Sequence, residues 1–203
     1  MLLGQITRLD EEDEEKTKDP QNAPAVIEKA LFDARVVMLT GEVNDQQARR
    51  VTERLFALAA QNAKPITFVI SSPGGHVESG DMIHDVIKFI NAPVKMLGTG
   101  WVASAGALIY CAAQRENRFC LPNTRFLLHE PRGGIGGMAS DVEIQAREIL
   151  RMRERLNRIF ADATGQPIDK IKRDIDRDYW MLADEAKAYG LVGKIVKSQA
   201  ELG

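Results

Sequence analysis

The sequence predicts an α/β protein with a largely parallel sheet. Short apolar runs of strand length recur down the chain, and most are followed by a segment with apolar residues at helical spacing. The chain of 203 residues is long enough for one domain with a full core. Residues 1–24 stand apart. They carry Asp10-Glu11-Glu12-Asp13-Glu14-Glu15 and too few apolar residues to order alone, so they read as a flexible acidic arm able to dock on a partner. The domain proper is expected over 25–203.

Taken in order, 36–39 is an apolar run of strand length, ended by Gly41 and Asn44-Asp45. Ala48, Val51, Leu55 and Leu58 then recur at helical spacing. A second strand is expected over 66–70, broken by Pro73-Gly74-Gly75, and Met82, Val86 and Ile90 mark the next helix. A third strand over 94–97 ends at Gly98 and Gly100. A short apolar helix is expected over 104–113, then strands over 119–121 and 126–128. The longest helix should start at Ser140, with Glu143 completing a capping box. Its stripe is Val142, Ala146, Ile149, Met152, Leu156 and Phe160, and Gly165 closes it. Short helices near 168–175 and 184–189 and a strand near 191–196 complete the reading.

Composition excludes several classes. The net charge is -2, so no overall positive field attracts nucleic acid. The basic run from Arg151 to Arg158 is mixed with acids and reads as a solvated helix face. Apolar stretches are far short of the ~20 residues a membrane span needs. The N-terminus lacks the pattern of a signal peptide. Cys111 and Cys120 have no metal spacing and read as buried thiols, which suits a reducing, cytoplasmic compartment. No cofactor or metal is expected. Gly134-Ile135-Gly136-Gly137-Met138-Ala139 fits a dinucleotide fingerprint in form, but no acidic strand end follows about 20 residues on, and a glycine-rich extended segment is expected instead. There is no Walker A sequence, so the chain should not hydrolyse ATP itself.

Three features could carry chemistry together. Ser104 lies between a strand and a small-residue helix, where a hydroxyl points outward and neighbouring amides inward; a helix cap is the plain alternative. Val102 occupies the first glycine position of Gly-x-Ser-x-Gly, which disfavours an α/β-hydrolase elbow. The Gly74-Gly75 turn can aim a backbone amide at a developing oxyanion, and the Ala105 amide can supply the second donor. Of the three histidines, His129 closes a strand and is well placed to face a site; His76 follows the glycine turn and could also lie near a pocket, and His84 reads as a surface or pocket-lining residue. Asp174, Asp176 and Asp178 are candidates to orient an imidazole, and spacing does not choose among them.

From Asp33 to Val196 the chain resembles the ClpP family, the peptidase subunits of Clp proteases. The resemblance is carried by Val-Val-Met-Leu-Thr-Gly-Glu-Val, Ile-Ser-Ser-Pro-Gly-Gly, Gly-Trp-Val-Ala-Ser-Ala-Gly-Ala and Arg-Phe-Cys-Leu-Pro-Asn-Thr-Arg-Phe-Leu-Leu-His-Glu-Pro. Asp-Val-Glu-Ile-Gln-Ala-Arg-Glu-Ile-Leu, Arg-Asp-Tyr-Trp and Glu-Ala-Lys-Ala-Tyr-Gly-Leu-Val follow in the family's order. It implies a spiral of ββα units shared with crotonases, with a protruding handle helix after Ser140. It further implies Ser104 as nucleophile, His129 as general base and Asp178 as the triad acid. Gly75 and Ala105 match the oxyanion-hole amides. Asp176 and Arg177 match a pair linked to ring–ring contacts.

The expected activity is that of a serine endopeptidase acting on proteins and peptides. The resemblance implies stacked seven-membered rings served by an AAA+ unfoldase. A ring-building subunit of low activity beside an active paralogue is the nearest alternative, and a crotonase-like acyl-CoA enzyme a remoter one. Five features depart from the family's usual pattern: Trp101, Ala105, Glu130, the docking strand, where Thr67 and Val69 replace aromatics while Phe89 is kept, and the acidic N-terminal arm in place of an apolar axial segment.

Overall fold

The structure is a computed structural model that describes residues 23–132 and 136–202. The acidic arm and the first glycine of the fingerprint-like stretch lie outside the described residues; only the arm's last two residues fall inside, opening a helix, α1 (Ala23–Asp33), that the periodicity does not suggest. Of the described residues, those up to Val36 fall in one unit and those from Val37 onward in another.

A mixed α/β architecture is built on a seven-stranded sheet in the order β1-β2-β3-β4-β7, with β5 beside β3 and β6 beside β5. The strands are β1 (Val36–Thr40), β2 (Ile66–Ser72), β3 (Val94–Ala103), β4 (Arg118–Cys120), β5 (Arg125–Leu128), β6 (Tyr179–Leu182) and β7 (Lys194–Ile195). Among the described pairs only β5–β6 is antiparallel. The helices are α2 (Asp45–Gln61), α3 (Val77–Phe89), α4 (Ala105–Tyr110), α5 (Ala139–Thr164), α6 (Ile168–Asp174) and α7 (Ala183–Tyr189). No described helix is long and apolar enough to cross a membrane.

The local signals hold well in α2. Asn44 caps it by accepting from the Gln47 amide at 2.9 Å, and Ala48, Val51, Leu55 and Leu58 form its buried face. Gly165 ends α5 in the left-handed region at φ 74°, donating its amide to the Ala161 carbonyl.

Other readings need correction. The α3 face is rotated: Ile83, His84 and Ile87 are buried, while Met82 is 47% exposed. Gly80 lies on the same buried side, and an added Cβ there would sit 3.3 Å from the Ala105 Cβ, so α3 and α4 approach closely at this point. No capping box starts α5. The helix begins one residue early, Met138 is its cap without a side-chain bond, and Glu143 pairs with Arg147. Only Leu156 and Phe160 of the predicted α5 stripe are buried; Val142 stays exposed in the helix's first half. Of the strand expected over 191–196, only two residues pair. The β6 strand has no counterpart in the sequence reading.

The third strand does not stop at Gly98. It runs on to Ala103 and changes neighbours on the way. Its first half pairs with β4 (Met96↔Arg118, Gly98↔Cys120) and its second half with β5 (Trp101↔Arg125, Ala103↔Leu127). Against β2 the register slips: Ile70 pairs Gly98, but Ser72 pairs Val102. Gly100 takes φ +60° in the slip, and the Gly98 carbonyl accepts from the Thr124 hydroxyl and the Leu121 amide, both at 3.0 Å. The ends of β2, β3 and β5 therefore converge on one carboxyl edge. Ligands of open parallel sheets bind at such edges.

Candidate active site

Each converging strand delivers one predicted element: the glycine turn after β2, Ser104 after β3 and His129 after β5. Ser104 stands at φ 55° and ψ -122°, one of two non-glycine residues with positive φ among the described residues. For a residue with a Cβ this costs about 1–3 kcal/mol and persists only where surroundings impose it. The constraint is visible. The Ser104 amide donates to the Leu127 carbonyl at 2.9 Å, and the Ser104 carbonyl accepts from Ala107 and Leu108. Its hydroxyl makes no capping bond to α4. Ser104 therefore caps α4 through its backbone alone, and its side chain takes no part in the cap.

Gly74 lies directly against Ser104. A Cβ there would fall 2.5 Å from the Ser104 Cβ and 3.1 Å from its Oγ. The Gly74 amide is already used, donating to the Ser72 hydroxyl at 3.0 Å. Gly75 is held at φ 144° by its bridge to Val43, whose amide donates to Gly74 and whose carbonyl accepts from His76. The Gly75 and Ala105 amides donate to no acceptor among the described residues. These are the two donors expected to be free.

Ser104 and His129 line the same small cavity, about 10 Å3, walled by Val77, Leu108, Leu156 and Phe160. That is room for about one water. No hydrogen bond joins Ser104 to His129 among the described residues. His129 Nδ1 is buried and has no hydrogen-bond partner. Asp178 Oδ1 lies 3.7 Å from it, beyond hydrogen-bonding reach. The same oxygen instead accepts from Arg132 Nη2. Burial, and then the Arg132 charge, hold the His129 imidazole below its ordinary pKa; Asp178 and Glu130 pull it up without prevailing. Glu130 is itself engaged by Arg153 at 2.9 Å, and Arg153 also reaches Asp176 at 3.3 Å. Exposed pairs of this kind are each worth only about 0–1 kcal/mol.

The other candidates fall elsewhere. Asp174 accepts from Lys170 and from the Tyr189 hydroxyl, the latter at 2.7 Å. Asp176 faces Arg153. Asp178 is the only one of the three within ion-pair range of His129. His76 bonds Ser79 at 2.8 Å and faces Asp45. His84 is not a surface residue: it is buried, bonded to Asp85, and lines a separate cavity of about 430 Å3 with Cys111 and Arg118. Cys111 and Cys120 are free and buried, and burial pushes their thiols up to about 11 and about 12. Such thiols are poor nucleophiles. Among the described residues no cluster of His, Cys, Asp or Glu could hold a metal. Sequence reasoning missed Arg132, although a guanidinium three residues after the candidate base was a signal in plain sight.

Comparison with known proteins converges on one family. The Clp protease family model matches residues 20–199. The ATP-dependent Clp protease proteolytic subunit 3 of Rhizobium etli is 59% identical over 193 residues, 95% of this chain and 99% of that protein. Proteolytic subunit 2 of Pseudomonas aeruginosa is 52% identical, covering 96% and 97%. Among solved structures, ClpP1 of Listeria monocytogenes superposes with a TM-score of 0.80 at 48% identity, over 87% of this chain and 99% of that one. A point mutant of that same Listeria protein gives 0.82 at 50%, with the same coverage. With the match running through the carboxyl edge where Ser104, His129 and the glycine turn meet, the chain belongs to the Clp protease family.

Proposed function

We propose that this chain is the serine peptidase subunit of a Clp-type protease, with Ser104 as nucleophile, His129 as general base and Asp178 as the acid that orients it. The observation that carries the reading is Ser104: a strained, uncapped serine sharing a cavity with a buried imidazole. His129 takes the Ser104 proton as Oγ attacks a peptide carbonyl. The Gly75 and Ala105 amides receive the oxyanion. The leaving amine takes the proton back from His129, and a water deprotonated by His129 then hydrolyses the acyl ester and frees Ser104. Hydrolysis of a small fluorogenic peptide by the isolated, assembled chain tests this directly.

The base must be neutral to accept a proton. Because burial and Arg132 lower the His129 pKa, its neutral form persists to more acidic pH. The acid limb of kcat/KM is therefore expected below the ~6.5 of an ordinary histidine. A limb at or above ~7 would contradict this environment for the base.

The relatives are named as ATP-dependent, and this chain lacks a Walker A sequence. An AAA+ unfoldase that delivers protein substrates is the matching partner, with the peptidase assembled as two stacked seven-membered rings. Docking would use Phe89, 77% exposed and edge-on to Phe56 at 6.2 Å, on a surface built with Thr67 and Val69 in place of aromatics. The exposed first half of α5 suits a ring–ring handle. The acidic arm over 1–24 remains the candidate for a second partner contact.

A second reading has one observation in its favour. A ring-building subunit of low intrinsic activity would keep its triad open, as the unpartnered His129 Nδ1 and the Arg132-bound Asp178 do. Native mass combined with the peptide assay on the chain alone separates the two readings.

A further inference from the structure

Two cations border the base. Arg153 is occupied by Glu130 and Asp176. Arg132 has Asp178 alone as its ion-pair partner among the described residues. The Asp178 oxygen nearest His129 is the one that accepts from Arg132. The imidazole Nδ1 is meanwhile left buried without an acceptor, which is a costly state for a polar atom. With its Oδ1 on Arg132, Asp178 stands 3.7 Å from His129 Nδ1, outside hydrogen-bond distance.

We propose that Arg132 is a positioning residue that holds Asp178 away from His129, so that peptide cleavage reaches full rate only when Arg132 is drawn off. The inference rests on the triad reading above. Arg132 touches no reacting atom. It acts through Asp178, and its side chain is 61% exposed, so any competing anion, including a carboxylate of a neighbouring subunit, can engage it. Four charged groups bear on His129: Asp178 from the segment before β6, Glu130 and Arg132 from the segment after β5, and Arg153 of α5 through Glu130. Removing Arg132 deletes a positive charge and frees Asp178. Both changes favour the imidazolium and both raise the His129 pKa.

The test compares Arg132→Ala and Arg132→Gln with the parent in assembled protein, using a small fluorogenic peptide across pH. The expected result is a rise in kcat of roughly threefold to fivefold, as much as an exposed pair of this kind can hold back. KM should hold, and the acid limb should move up by at least ~0.5 pH unit. Arg132→Lys, which keeps the charge, should stay close to the parent in both respects. A merely structural role for Arg132 would not move the limb upward or be rescued by lysine. Unchanged or lower kcat in correctly assembled Arg132→Ala overturns the proposal, whether or not the limb moves, because loss of the charge alone shifts the limb. The triad reading fails separately: if Ser104→Ala is as active as the parent, both fall, whereas an inactive Ser104→Ala beside an unresponsive Arg132→Ala removes only the role of Arg132.

Discussion

Ser104→Ala is expected to abolish peptide hydrolysis, lowering kcat by on the order of 10^4-fold or more. No other described group can substitute. The two thiols are buried and protonated near neutral pH. His76 is bonded to Ser79, and His84 opens on a different cavity. The variant should fold and assemble as the parent does, since alanine removes only a hydroxyl that makes no capping bond. Residual cleavage within tenfold of the parent would mean that the strained turn at Ser104 serves some purpose other than attack.

The second large effect is expected at Gly75. Alanine there would place a Cβ 2.2 Å from the Val43 carbonyl and 2.9 Å from the Glu42 side chain, on a backbone at φ 144° that residues with a Cβ rarely adopt. The turn must move, and its free amide moves with it. Loss of one oxyanion donor typically costs ~10^2–10^3 in kcat. Gly75→Ala should therefore lose that much kcat with little change in KM, while circular dichroism and native mass remain those of the parent. A kcat within a few-fold of the parent would place the oxyanion donor elsewhere.

Much of this was legible because it is local. Apolar spacing in α2 depends on residues three and four apart, and Gly165 ends α5 for reasons contained in its own backbone. The elements that escaped depend on distant partners. β3 continues past two glycines because β5 offers a second pairing edge where β4 ends. The α3 face buries Gly80, Ile83, His84 and Ile87 against its neighbours, with Gly80 close to α4, and leaves Met82 exposed. β6 exists because β5 pairs it, with Arg125 opposite Leu182 and stacked 4.4 Å from the Trp180 ring.

The site divides the same way. Ser104, His129 and the glycine turn each follow a strand, so their convergence was readable once the sheet was taken as parallel. The choice of Asp178 among three aspartates came from the family resemblance; of the three, it is the one within ion-pair range of His129. The competing grip of Arg132 required side-chain geometry, because charge order along a chain does not say which carboxylate oxygen a guanidinium will take.

A fluorophosphonate reports on the nucleophile without needing substrate, unfoldase or turnover. It forms a phosphonyl ester with an activated serine as fluoride leaves. Intact-mass and peptide mass spectra of the assembled protein should show one adduct per chain, located at Ser104 and absent from Ser104→Ala. No adduct in correctly assembled protein, or an adduct on another residue, would contradict the assignment of Ser104 as nucleophile.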